Sequence, residues 1–284
     1  MVHALSTHLV VNHRLTTVWL DRIWKAGVSA VEIFCARQHM DYHNKAQIQE
    51  LAHWFKDSPM QLFSLHSPMY SDDCWGRTGP NAVITITEPV KAKRIPMVDE
   101  IKRALEIAEY MPFRYLIQHL GVAGEEYDER KIEAAFTALD ELRVFAKQRG
   151  VEILLENIPN KLSNAERLIQ FLEITHLDLH FCFDTGHAHM AGSVESEYQI
   201  MRSRIRSTHV HDNNGVADEH RYPYLHEDGT IDWRRTMQVL RSRSEQYPLL
   251  LELREDPAWG NPLEAVRKIF EHLEAEPETE DDQS

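Results

Sequence analysis

Short apolar segments and amphipathic segments alternate along almost the whole sequence, and this alternation limits the possible folds more than any other feature. The apolar segments have the length and the aromatic or β-branched content of buried strands, as in 180–183. The segments between them repeat apolar residues at helical spacing, as Ile132, Ala135, Leu139 and Leu142 do. Parallel strands need a crossover between them, so the alternation predicts a parallel sheet with helices packed against it.

Eight strands are predicted, and each is followed by a helix or by a segment with helical spacing. The strands cover 4–8, 29–34, 61–65, 115–118, 151–155, 180–183, 207–212 and 249–251. The helices cover 16–26, 44–55, 98–110, 132–145, 165–172, 197–205, 233–242 and 262–273. Eight such units close most naturally into a single (β/α)8 TIM barrel over residues 1–273, with a doubly wound open sheet as the alternative. The acidic, proline-containing segment 274–284 is predicted to be a disordered tail.

The composition is that of a soluble globular protein, with 43% hydrophobic and 27% charged residues in a chain of 284. No apolar run reaches membrane-spanning length, and the first residues lack the basic and apolar parts of a signal peptide, so a cytoplasmic protein is expected. The net charge of −14 argues against tight binding to nucleic acid, which needs clustered Lys and Arg. Cys35 and Cys182 are predicted to be small buried apolar side chains.

A histidine or a carboxylate ends six of the predicted strands, which makes the strand ends the candidate functional site. The C-terminal ends of parallel strands meet at one face of a barrel, where enzymes of this architecture place their chemistry. His187, which follows Asp184, and the pair Asp218 and His220 after the seventh strand extend the cluster. Mixed imidazole and carboxylate side chains are ligands of divalent metals. We therefore expect one cluster that contains His66, His119, Glu156, Asp184, His209 and Glu252.

The order of these residues resembles that of the xylose isomerase-like TIM-barrel superfamily. The resemblance covers roughly residues 4–273 and rests on His66, His119, Glu156-Asn157, Asp184-Thr185-Gly186-His187, His209-x-x-Asp212, Asp218-x-His220, Gly229-x-Ile231-Asp232-Trp233 and Glu252. That superfamily contains sugar and sugar-phosphate isomerases and epimerases, and also endonuclease IV. The sequence departs from endonuclease IV because it lacks a Gly-Ala-His-Val-Ser opening.

The resemblance implies a set of metal ligands. By it, Glu156, Asp184, His209 and Glu252 match the four ligands of the single catalytic metal in the epimerases. The further ligands with which endonuclease IV holds three zinc ions are matched by His66, His119, His187, Asp218 and His220. One to three divalent ions are therefore expected, with Mn or Zn preferred and Mg or Co as alternatives.

Two reactions are compatible with such a site. In an isomerase or epimerase, the metal polarises a carbonyl while Glu156 and Glu252 remove and return the adjacent proton. In a phosphodiesterase like endonuclease IV, a metal cluster activates water for attack on a phosphate, and Glu156 bridges metals. The acidic charge and the missing endonuclease opening favour the first reaction, with a small sugar or sugar phosphate as substrate. A metal-binding barrel without catalysis is a third alternative.

The alternation is interrupted over 69–97, where glycines and prolines predict a functional loop or lid. In this loop Arg77 and Arg94 are candidates to bind a substrate phosphate, and Trp75 is a candidate to stack on a sugar ring. His211, which shares a strand face with His209, is a candidate substrate-binding residue. Barrels of this kind often pair through apolar outer surfaces, so a homo-oligomer is compatible with the sequence.

Overall fold

The computed structural model describes residues 1–275, in which eight parallel strands alternate with helices. The strands are β1 (His3–Ser6), β2 (Ala30–Phe34), β3 (Gln61–His66), β4 (Tyr115–His119), β5 (Glu152–Glu156), β6 (His180–Asp184), β7 (Ile205–His209) and β8 (Leu249–Leu251). The helices are α1 (Thr17–Lys25), α2 (Lys45–Asp57), α3 (Lys91–Glu106), α4 (Glu129–Lys147), α5 (Ala165–Thr175), α6 (Thr185–Met190), α7 (Val194–Met201), α8 (Trp233–Arg241) and α9 (Pro262–Ala275). Short 3-10 turns cover Thr7–Val10, Gly79–Ala82 and Ile107–Glu109.

Neighbouring strands pair in the order β7-β6-β5-β4-β3-β2-β1-β8, and every pair is parallel. Strands β7 and β8, at the two ends of this order, are joined by backbone hydrogen bonds of Val210, the residue that follows β7. There the Val210 amide donates to the Leu250 carbonyl at 2.8 Å, and the Glu252 amide donates to the Val210 carbonyl at 3.2 Å. The strands therefore form a nearly closed barrel, and the predicted (β/α)8 TIM fold is confirmed.

An apolar cluster inside the barrel supports the strand ends. It contains Tyr115, Ile117, Leu154 and Cys182, and it is separate from the main core between strands and helices. Side chains two residues apart in a strand point to the same face. Ile117, Leu154 and Cys182 each lie two positions before a predicted ligand, so they form an apolar floor beneath the site.

Polar side chains begin several of the helices, as expected for N-caps. Asn44, Asp128, Asn164 and Asp232 accept hydrogen bonds from amides in the first turns of α2, α4, α5 and α8. Asp184 does the same for α6, where it accepts from the His187 amide at 2.6 Å. The segment directly after β6 is therefore the start of a helix.

Helix α3 begins at Lys91, before the predicted start at Val98, and this shortens the loop from 69–97 to 69–90. Pro96 lies inside α3, where it removes one amide donor and its ring crowds the carbonyl of Ala92. Arg94 Nη1 donates to the Glu88 carbonyl at 2.6 Å and ties the first turn of α3 to the end of the loop.

The boundary between α7 and β7 also differs from the sequence prediction of a helix over 197–205. Helix α7 ends at Met201, and Ile205 opens β7 by pairing with Phe181 of β6. Pairing with a buried neighbouring strand outweighs helix propensity in this segment. At the C-terminus α9 continues to Ala275, and the rest of the predicted tail, 276–284, lies outside the described residues. Within residues 1–275, no helix combines the length and apolar character needed to cross a bilayer.

Candidate metal centre

The strand register brings the predicted ligands to one level at the C-terminal end of the barrel. His119 pairs with Glu156 across β4 and β5. Asp184 pairs with His209 across β6 and β7. Glu252 directly follows β8, beside the end of β7. The parallel strands thus bring these side chains to a common face.

Glu156, Asp184, His209 and Glu252 form the central ligand group, in which one ligand atom from each residue lies within 4.8 Å of the others. His209 Nδ1 is 3.1 Å from Glu156 Oε1 and 3.3 Å from Glu252 Oε2. It is 4.0 Å from Asp184 Oδ2. All four side chains are buried. Three buried carboxylates around one imidazole nitrogen need a cation to offset their charge.

A second ligand group joins His66 and His119 to Glu156. The Nε2 atoms of the two histidines are 3.2 Å apart, and His119 Nε2 is 3.1 Å from Glu156 Oε2. The two oxygens of Glu156 therefore face different groups, since Oε1 contacts His209 and Oε2 contacts His119. A carboxylate placed in this way is suited to bridge two metal positions.

The third ligand group consists of His187, His211, Asp218 and His220. Asp218 Oδ2 is 3.3 Å from His187 Nε2, and Asp218 Oδ1 is 3.3 Å from His220 Nε2. The His211 ring stacks on His220 with centroids 4.0 Å apart, and its Nε2 is 3.1 Å from Asp184 Oδ2. The structure therefore places His211, predicted as a substrate-binding residue, among the ligand candidates, where it links the third group to the central group.

Backbone carbonyls orient three of the histidine rings. Nδ1 of His66 lies 2.9 Å from the carbonyl of the next residue, and Nδ1 of His187 lies 2.9 Å from the Asn157 carbonyl. Nδ1 of His220 lies 3.0 Å from the Glu252 carbonyl. A neutral ring whose Nδ1 donates to a carbonyl presents the lone pair of Nε2, which is then free to bind a metal.

Charge pairing decides protonation within the site. Burial raises the pKa of the Glu156 carboxyl, but His209 and His119 outweigh burial and hold that pKa well below its usual range. Burial lowers the pKa of His220, but the Asp218 carboxylate outweighs it and raises that pKa to about 9. Glu156 is therefore ionised and partly balanced by histidine protons, with which a metal ion would compete.

The donor atoms fit a divalent transition metal. Asp218 Oδ1 is buried and, although it lies 3.3 Å from His220 Nε2, it makes no hydrogen bond of good geometry among the described residues, as expected of an atom that binds a cation. The donors are imidazole nitrogens and carboxylate oxygens, a mixture that suits Zn²⁺ or Mn²⁺ better than Ca²⁺. Cys182 also lies near Glu156 and His209. Burial raises the pKa of its thiol, however, which disfavours the thiolate that metals bind.

The ligand groups line a cavity of about 150 Å³. One wall is aromatic, because the Phe34 ring lies 5.2 Å from the Trp75 ring and 4.4 Å from the His66 ring between centroids. Among the described residues that line the cavity, Arg254 is the one Lys or Arg. A cavity below the roughly 300–1,000 Å³ of drug-sized pockets suits a small molecule.

The family model of the xylose isomerase-like TIM barrel matches residues 20–276. The chain belongs to this family. Membership confirms the resemblance from which the ligand set was inferred. The fold alone does not decide the reaction of a xylose isomerase-like barrel, which depends on the residues of its site.

Solved structures of other proteins share the xylose isomerase-like fold. A D-tagatose 3-epimerase-like protein is 23% identical and has a TM-score of 0.76, with 96% of both chains covered. An L-ribulose 3-epimerase is 16% identical with a TM-score of 0.75, covering 96% of this chain and 93% of the other. The IOLI protein with a bound zinc atom is 18% identical with a TM-score of 0.72, over 96% of both chains. At these identities the likeness concerns the fold alone.

Relatives in sequence match part of this xylose isomerase-like chain. An inosose dehydratase from Yersinia enterocolitica is 26% identical over 154 residues, which are 47% of this chain and 51% of the relative. An uncharacterized protein of Methanocaldococcus jannaschii is 29% identical over 129 residues, which are 43% of this chain and 49% of that protein. The chain thus spans about half the length of the curated relatives it matches.

The two loop arginines do not reach the cavity of this xylose isomerase-like barrel. Arg77 is exposed, Arg94 is buried against Glu88, and neither is among the described residues that line the cavity. Trp75 lines the cavity, and its stacking on a sugar ring stays a prediction. Arg254 also lines the cavity. No sequence pattern indicated Arg254, because the direction of its side chain depends on the path of the chain after β8.

Two further residues of the xylose isomerase-like site were missed from the sequence. Glu32 in β2 is fully buried, and its Oε1 lies 3.1 Å from His209 Nε2. His8, which follows β1, lines the cavity 4.7 Å from the His220 ring. Glu32 could have been found from the sequence, because it is the charged residue inside an otherwise apolar strand. No sequence pattern distinguishes His8 from the many other isolated histidines of the chain.

Proposed function

We propose that this protein is a divalent-metal-dependent isomerase or epimerase that acts on a small sugar or sugar phosphate. The observation that carries the proposal is that Glu156 and Glu252 share one ligand group in a small cavity. Two carboxylates at one metal position can remove a proton from a carbon and return it. The reaction is therefore proton transfer next to a carbonyl.

Glu156, Asp184, His209 and Glu252 would hold the catalytic ion. When bound, such an ion polarises a substrate carbonyl and makes the hydrogen on the neighbouring carbon more acidic. That acidity is needed because a glutamate with an ordinary pKa of about 4.3 is a weak base.

Other steps of the proposed reaction, namely proton acceptance and contact with the sugar, are assigned to individual side chains of the cavity. Glu156 is ionised, because His209 and His119 overcome the effect of burial on its pKa, so it can accept a proton. Glu252 Oε2 lies 3.3 Å from His209 Nδ1, beside the same ligand position. Trp75 offers an apolar surface to one face of a sugar ring, and polar groups of the ligand cluster face the hydroxyls.

The comparisons support this reaction class. The epimerase structures have the same fold, and their names describe inversion at a sugar carbon. The inosose dehydratase relatives are consistent with it, because loss of water next to a carbonyl also begins with removal of the neighbouring proton.

Hydrogen exchange tests the proposal. The protein loaded with Mn²⁺ or Co²⁺ is incubated with a panel of ketoses and ketose phosphates in deuterium oxide. We expect deuterium next to the carbonyl even where little product forms, because the abstracted proton exchanges with solvent before its return. A chelator should stop the exchange, and Ca²⁺ should restore it less well than Mn²⁺. No exchange and no metal dependence across the panel would show that the proposal is wrong.

Metal-dependent phosphoester hydrolysis is a second candidate, favoured by the three adjacent ligand groups that Glu156 and Asp184 connect. Hydrolysis of this kind uses ions at neighbouring positions to stabilise the attacking and leaving oxygens. Elemental analysis separates the candidates: one ion per chain with deuterium exchange supports the isomerase. Three ions with hydrolysis of a phosphoester and no exchange support the hydrolase. The net charge of −14 argues against duplex DNA as the substrate of such a hydrolase, and so does the presence of one arginine among the described residues that line the cavity.

A further inference from the structure

Glu32 is a buried carboxylate with no part in the proton transfer proposed above. It lies in β2, and its side chain reaches across the barrel to His209 in β7. Its Oε1 and Oε2 lie 3.1 and 3.3 Å from His209 Nε2, and the Ser64 hydroxyl donates to Oε2 at 2.8 Å. A buried carboxylate is destabilising unless it is paired and hydrogen-bonded. Its contact with a ligand histidine therefore calls for an explanation.

The two ring nitrogens of His209 face different partners. Nε2 faces Glu32, whereas Nδ1 faces Glu156 and Glu252 of the central ligand group. Both nitrogens face carboxylates, which can only accept, but Nδ1 faces the candidate metal position. A cation held there would take the lone pair of Nδ1, and the proton of the neutral ring would stay on Nε2, where Glu32 accepts it. The lone pair is then on Nδ1 and is directed at the central group.

We propose that Glu32 is a positioning residue that selects the Nε2–H tautomer of His209 and so makes Nδ1 the metal-binding atom. The inference rests on the proposed metal centre. Histidine ligands commonly donate their other N–H to a carboxylate or carbonyl, which fixes the ring and raises its basicity.

The partner of His209 differs from those of three other histidines in the site. His66, His187 and His220 place Nδ1 against neutral backbone carbonyls, whereas His209 places Nε2 against a carboxylate. A charged partner makes an imidazole a stronger base than a carbonyl does. We therefore infer that the central group binds the first ion, before the second and third groups fill.

The test is Co²⁺ binding to the full chain, followed by calorimetry and by the visible absorption of the bound ion. Glu32→Gln keeps an acceptor for His209 but removes the charge, and it should weaken the tightest Co²⁺ site by about 10–100-fold. The Co²⁺ absorption should change at the same time. Ser64→Ala, which removes one donor to Glu32, should lose less affinity.

Glu152→Gln is the matched control. It breaks a similar glutamate–histidine contact, with His180, at the other end of the barrel, so its Co²⁺ affinity should equal that of the wild type. Glu32→Asp is the second variant if Glu32→Gln does not fold, because it keeps the charge but withdraws it from Nε2. A loss of Co²⁺ affinity in Glu32→Asp supports a positioning role for Glu32, because the negative charge is kept and only the position of the carboxylate changes.

The outcomes separate this inference from the proposed reaction. Wild-type affinity in Glu32→Gln or in folded Glu32→Asp overturns the inference. A wild-type protein that binds no Co²⁺ overturns both the metal centre and the inference. A wild-type protein that binds Co²⁺ and is weakened by Glu32→Gln, but shows no deuterium exchange with any ketose, supports the inference and overturns the isomerase.

Discussion

Gly186 lies so close to the His211 ring that a Cβ atom at position 186 would be 2.1 Å from His211 Cε1. The Asn213 side chain donates to the Gly186 carbonyl at 2.9 Å and holds the chain after β7 against α6. A side chain at this position would therefore push the His211 ring away from Asp184. The glycine in the Asp184-Thr185-Gly186-His187 order is required by this close approach.

Gly186→Ala should destabilise the protein, because the added methyl group overlaps a buried ring. We expect a loss of about 1–3 kcal/mol in the free energy of unfolding, as for other overpacked sites. Denaturant unfolding of the metal-free protein measures this loss. Gly260→Ala is the control, because a Cβ at 260 would have no atom of the described part of the chain within 4 Å. Equal stability of the two variants would contradict the close approach.

Glu156→Gln and Glu252→Gln should each abolish deuterium exchange while the fold persists. General acid–base groups typically contribute about 10²–10⁴-fold to rate, so residual exchange should fall by at least that range. Glu152→Gln, at the far end of β5, should exchange at the wild-type rate. Circular dichroism verifies folding. A variant at 156 or 252 with near-normal exchange is not the catalytic base.

Arg254 should bind the anionic group of a phosphorylated substrate. The two acidic residues that follow it contact histidines. Glu255 Oε2 lies 3.0 Å from His13 Nε2, and Asp256 Oδ2 lies 2.9 Å from His226 Nε2. Arg254→Gln should raise KM for a ketose phosphate about tenfold or more, because a charge-assisted hydrogen bond contributes about 1.5–3 kcal/mol. KM for the unphosphorylated sugar should change little.

Arg77→Gln is the matched control for Arg254, because it removes an arginine that does not line the cavity. Its KM should remain at the wild-type value for both substrates. If KM for the ketose phosphate rose in Arg77→Gln and not in Arg254→Gln, the loop would be the phosphate-binding site and Arg254 would not.

His39 should make the protein less stable in acid. Burial lowers its pKa to about 4, below the value of about 6.5 for an unfolded-state histidine. The unfolded chain binds more protons between these two pKa values, so stability falls as the pH drops through this window, by about 3 kcal/mol in total. His39 Nε2 is buried and has no hydrogen-bond partner within residues 1–275, which is why the protonated ring is disfavoured.

His39→Asn removes this titration and keeps a donor for the His13 carbonyl, which His39 Nδ1 contacts at 2.6 Å. Denaturant unfolding across the window between the two pKa values should show a flatter dependence in the variant than in the wild type. Parallel curves for the two proteins would rule out His39 as the acid-sensitive group.

The sequence by itself determined the architecture and most of the candidate ligand set. Alternating strands and helices permit few topologies, and parallel strands all end at one face. The position of Glu156 or Asp184 at a strand end can be predicted from the nearby sequence, and this position alone assigns the residue to that face. The sequence does not contain the register that brings His119 level with Glu156, because register depends on packing between strands.

The tertiary structure alone decided the contacts that cross the barrel or depend on the path of a loop. Glu32 meets His209 because the barrel nearly closes and brings β2 opposite β7, far apart in sequence. Arg94 is removed from the cavity because α3 starts early and buries it. Arg254 lines the cavity because the chain after β8 passes it. Such contacts depend on where backbone segments meet in space, which residue spacing in a single chain does not specify.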